Sequence, residues 1–145
     1  MGCTDGQVGS HAGAPQQAAG LISLASNHIH ERQYQEALTD INAALALTPE
    51  HAEYRFLHCL VEERLGEPLP LAKACYAEIV SQLSNDGECK ESMNCVIADL
   101  MANGVHAESR KKQFLSLPAS DEELEVRHHV LDGFDRDEYL NTILP

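Results

Sequence analysis

Five cysteines and eight histidines are the side chains of this sequence with the most chemistry to offer. A histidine metal site needs several imidazoles converging on one ion. His28 and His30 diverge by about 200° if they share a helix, and the adjacent pair His128 and His129 by about 100°. Neither pair is a ready-made chelate, so no metal ligands are assigned. Cys89 and Cys95 lack the Cys-x-x-Cys spacing of thiol oxidoreductases, and no glycine-rich phosphate loop or nucleophile elbow occurs. The expectation is a non-enzymatic protein with no catalytic residues and no cofactor.

The thiols have a structural use instead. With Cys3 set aside, Cys59, Cys75, Cys89 and Cys95 form an even set, which suits disulfides in an oxidising compartment such as the periplasm. Cys59 and Cys75 fall on consecutive helices at similar heights from the Glu67-Pro68 turn, so they can meet. Six residues along one helix would point Cys89 and Cys95 about 120° apart, so they can pair only if Cys89 precedes the helix. Cys75 with Cys95 is a geometric rival. Four reduced thiols used as small core residues are the remaining alternative.

Helices are the elements that must position these residues. Leu21, Leu24, Ala25 and His28, then Tyr34, Ala37, Leu38 and Ile41, then Ala44, Leu45, Leu47 and Pro49 make one nearly complete 34-residue pattern over residues 18–51. This pattern resembles the tetratricopeptide repeat, with Leu21 where the family usually has Trp and His28 where it usually has Tyr. The resemblance implies two antiparallel helices packed through large residues against Ala25, Ala37 and Ala44. A second, degenerate unit spans 52–84, with Cys59 in a small position and Glu67-Pro68-Leu69-Pro70 stretching its turn.

Further helices follow over 88–144. Met93, Val96, Ile97, Leu100 and Met101 recur at helical spacing and stop at Asn103-Gly104. A helix from about His106 to Leu117 buries Ala107, Phe114 and Leu115 and ends at Pro118. Ser120-x-x-Glu123 is a capping box for another helix, which Gly133 closes. Leu140, Ile143 and Leu144 form an apolar edge in the tail. The fold class is therefore all-α, with stacked antiparallel helix pairs, a superhelix of the tetratricopeptide kind, and extra C-terminal helices. Residues 1–17, rich in Gly, Ala and Gln, read as a flexible tether ahead of a helical domain at 18–145.

Charge narrows the partners. The 145 residues carry a net charge of −13, which excludes the basic surface that nucleic acid needs. Asp121, Glu122, Glu123, Glu125, Asp132, Asp135, Asp137 and Glu138 cluster in the C-terminal helices, where they present a negative face to a basic partner or simply to water. Gly2-Cys3 resembles the end of a bacterial lipobox, which implies lipidation of Cys3 and, with Thr4 beside it, the periplasmic face of the outer membrane. Myristoylation at Gly2 with a palmitoylated Cys3 is the competing reading, and a cytosolic chain that merely starts this way is the third.

The repeat resemblance also implies a concave groove lined by first-helix residues: Ile22, Ser26, Ile29, His30, Phe56, Leu60, Glu63 and Arg64. A protein or peptide partner would lie there. Covering of Ile22, Phe56 and Leu60 by the C-terminal helices is the competing arrangement. The expected function is a membrane-anchored adaptor for assembly of an envelope, secretion or pilus complex. The alternative is a cytosolic chaperone of the repeat type that binds a secretion substrate.

Overall fold

A computed structural model describes residues 13–145, and every regular element among them is helical. The order is α1 (Ala14–His30), α2 (Tyr34–Leu47), α3 (Ala52–Arg64), α4 (Leu69–Asn85), a 3-10 turn (Cys89–Glu91), α5 (Met93–Ala102), α6 (Ala107–Leu115), α7 (Asp121–Leu131) and α8 (Arg136–Ile143). They fall into two compact units. One runs to Leu65 and includes Leu144–Pro145, and the other is Gly66–Ile143. The division lies between α3 and α4, inside the 52–84 span that the repeat pattern groups together. Gly66, at φ +102°, and Pro68 separate the two helices.

In the first unit, α1 and α2 form a helical hairpin, and α2 also packs on α3. The contact rests on small side chains. Ala18 and Ala25 of α1 and Ala37, Ile41 and Ala44 of α2 are all fully buried. Their i, i+4 and i+7 spacing puts each set on one helix face. Helix α1 begins at Ala14, so residues 14–17 are helical rather than part of a tether. Pro15 lies in the first turn, where its missing N–H costs nothing. The rest of the tether, with Gly2 and Cys3, lies outside the described residues.

The turn after α1 is closed by two backbone bonds. Arg32 N–H donates to the Ile29 carbonyl at 2.9 Å and Gln33 N–H to that of His28 at 2.7 Å. This is the Schellman pattern, with Arg32 in the left-handed position at φ +61°. His28 and Asp40 bridge the two helices at 2.6 Å.

The second unit is built around α5, whose residues Cys95 to Met101 are buried without interruption. A helix apolar on all sides belongs inside a core. It packs against α4, α6 and the 3-10 turn, and α6 in turn packs on α7. Helix α4 starts at Leu69, so Pro70 sits inside the first helical turn instead of extending the loop before it. Asn103, at φ +54°, terminates α5, and Gly104 N–H donates to the Asp99 carbonyl at 3.0 Å. Ser92 and Ser120 cap α5 and α7, each accepting from a backbone N–H three residues on.

Candidate binding surfaces

The eight groove positions divide sharply in burial. Ile29 and Phe56 are 8% exposed and Leu60 is 2% exposed, so these three side chains belong to the interior. Ile22, Glu63 and Arg64 are half-buried, and Ser26 and His30 are exposed. On α1 the result is an accessible edge, since Ile22, Ser26 and His30 recur every four residues beside the buried stripe of Ala18, Ala25 and Ile29. Arg64 is occupied within its own unit. It donates to the carbonyls of Leu144 and Pro145 and lies 5.6 Å from the Tyr34 ring centroid, while the Tyr34 hydroxyl also donates to the Pro145 carbonyl.

Cys89 and Cys95 form a disulfide with Cα atoms 5.2 Å apart. Cys89 lies in the 3-10 turn before α5, which is the placement that pairing with Cys95 requires. This excludes Cys75 as the partner of Cys95. Cys59 and Cys75 are likewise in the disulfide-bonded state, so none of these four is a free thiol. Arg110 reaches the same place. Its Nη1 donates to the Cys89 sulfur at 2.8 Å and its Nε to the nearly buried Asp99 carboxylate at 2.9 Å. Asp99 also presses on Gly104, where an added Cβ would collide with its Oδ1. No periodicity in the sequence announces this ion pair, because Asp99 interrupts an otherwise apolar helix face.

One histidine of each pair that sequence spacing kept apart as metal ligands meets a carboxylate. His28 bonds Asp40, and His128 bonds Asp132 at 3.0 Å. Helix order thus turns them into ion-pair partners when protonated.

A cleft of about 260 Å³ opens where α7 turns into α8 through Gly133, at φ +64°. Phe134 and Tyr139 supply its aromatic wall, with ring centroids 5.4 Å apart and planes tilted by 40°. Ile143 extends the apolar surface, and Asp132, Asp135 and Glu138 stand at the rim. Burial holds the Tyr139 phenol above its ordinary pKa of 10.0. The sequence signals the acids but not the pocket, since the aromatic pair forms only once the chain has turned at Gly133.

Among the described residues the protein is all-helical and falls into two compact units, the second of which carries the Cys89–Cys95 disulfide. No protein-family model, curated protein or solved structure matches the chain.

Proposed function

We propose that this protein is a non-enzymatic interaction adaptor of the tetratricopeptide kind, acting in an oxidising extracytoplasmic compartment and held to the outer membrane by a lipid on Cys3. The observation that carries the reading is the α1–α2 hairpin. Its Ala18, Ala25, Ala37 and Ala44 are fully buried, while Ile22, Ser26 and His30 leave one edge of α1 accessible. A partner segment lying along that edge gains contact at four-residue spacing. The Cys89–Cys95 disulfide supports the compartment, because such bonds persist where thiols are not kept reduced. Service in assembling an envelope, secretion or pilus complex is the role such an anchored adaptor would fill.

Intact mass of the protein from its natural host, before and after reduction and alkylation, tests the compartment and the anchor. The expected result is a lipid increment at Cys3, with Cys59, Cys75, Cys89 and Cys95 alkylated only after reduction. An unlipidated chain with free thiols would replace this reading with the cytosolic chaperone. Photo-crosslinking probes at Ser26 and His30, compared with probes at exposed Gln35 and Asn42, test the surface. Equal yields from both pairs would remove the α1 edge as the binding face.

A further inference from the structure

We infer that the cleft between α7 and α8 is a docking site for a basic polypeptide segment, taking one long cationic side chain between the Phe134–Tyr139 pair and the carboxylates of Asp132 and Glu138. The site shares no residue with the α1 edge and does not depend on it. Its volume, about 260 Å³, suits one side chain rather than a larger ligand. Its wall is aromatic and aliphatic, and its rim is acidic. An alkyl stem ending in a cation matches both: the stem covers Phe134, Tyr139 and Ile143, and the charged end reaches the rim. Aromatic faces attract that cation in addition to the carboxylates.

The local charges leave the site negative. Arg136, the cation that opens α8, donates its Nε to the Met101 carbonyl at 2.7 Å and lies 5.9 Å from the Tyr76 ring, and it does not line the cleft. His128 offsets Asp132 only when protonated. The Asp135 side chain accepts from the Glu138 N–H at 2.9 Å, so it has a structural use as the start of α8. Among the described residues, Glu138 makes no ion pair within 4 Å and remains to meet an incoming cation. A chain with net charge −13 also draws a basic partner toward it over long range.

The test is fluorescence anisotropy of the full chain at low salt with a short labelled peptide of alternating lysine and leucine. Matched peptides carry glutamate or norleucine in place of lysine. The lysine peptide should bind saturably, and the other two should not. Asp132→Asn with Glu138→Gln should weaken that binding about fivefold, as expected for the loss of two exposed charge contacts. Ile143→Ser should weaken it as well. Glu122→Gln with Glu125→Gln removes the same charge from α7 without touching the cleft, and should leave binding within about twofold. Thermal melting of each variant checks that the fold is retained. Absence of saturable binding, equal binding of the norleucine peptide, or equal weakening by the Glu122 and Glu125 pair would each overturn the proposal.

Discussion

Arg32 shows how much a single backbone position constrains a side chain. The Schellman bonds that end α1 demand a left-handed residue there, and Arg32 has the Cβ that such a conformation disfavours. The penalty is about 1–2 kcal/mol, against which glycine loses about 0.5–1 kcal/mol of chain entropy. Arg32→Gly should therefore stabilise the protein by about 0.5–1 kcal/mol, read as a higher urea midpoint with unchanged slope. Tyr139 makes the opposite kind of statement. Burial disfavours its phenolate, so the unfolded chain gives up this proton more readily than the folded one. Its contribution is intact below the unfolded value near pH 10.0 and is lost as pH rises through the higher folded value. Tyr139→Phe should remove that part of the alkaline loss, seen as a smaller drop in Tm above pH 10.0 than in the parent.

Among the elements, the α1–α2 hairpin depends on side chains being small. Ala37 has no exposed surface, so its neighbours occupy the space that a larger residue would need. Ala37→Leu should destabilise by about 1–3 kcal/mol through overpacking. Ala46 lies on the exposed face of the same helix, and Ala46→Leu should stay within about 0.5 kcal/mol of the parent. Chemical denaturation of the two variants separates helix propensity, which they share, from packing, which they do not. If both cost the same, the small positions of α2 have no special role. Helix α5 illustrates the complementary case, since its continuous burial leaves only Asp99 as a polar group, satisfied by Arg110.

At the scale of the whole molecule, covalent staples and net charge act in opposite directions. A charge of −13 repels itself in the compact state, whereas disulfides restrict the unfolded chain. The Cys89–Cys95 bond closes a loop with a sequence separation of 6. Closing so short a loop is worth about 2 kcal/mol. Cys89→Ser with Cys95→Ser should lower the unfolding free energy by about that amount under non-reducing conditions. Loss of less than about 0.5 kcal/mol would show that the unfolded chain is already restricted at this turn without the bond. Added salt should raise Tm in both proteins by screening the acidic surface.

Helical periodicity, the Ser120 cap and the Asn103-Gly104 stop were all legible in the sequence, because each is a local pattern acting within one or two helical turns. The condition for joining Cys89 to Cys95 was legible too, since helix geometry alone forbids the bond unless Cys89 precedes the helix. Pro70 read as a turn residue because its tolerance in a first helical turn depends on where the helix starts, and Ala14–Gln17 read as tether because their composition carries no apolar stripe. Tertiary structure alone decided which groove positions are covered. Ile29, Phe56 and Leu60 have the same periodicity whether they face a partner or the interior, and only packing distinguishes the two. It also decided that Asp99 meets Arg110 and that Phe134 and Tyr139 share a cleft. Such contacts join different helices, and no period within a single helix encodes them.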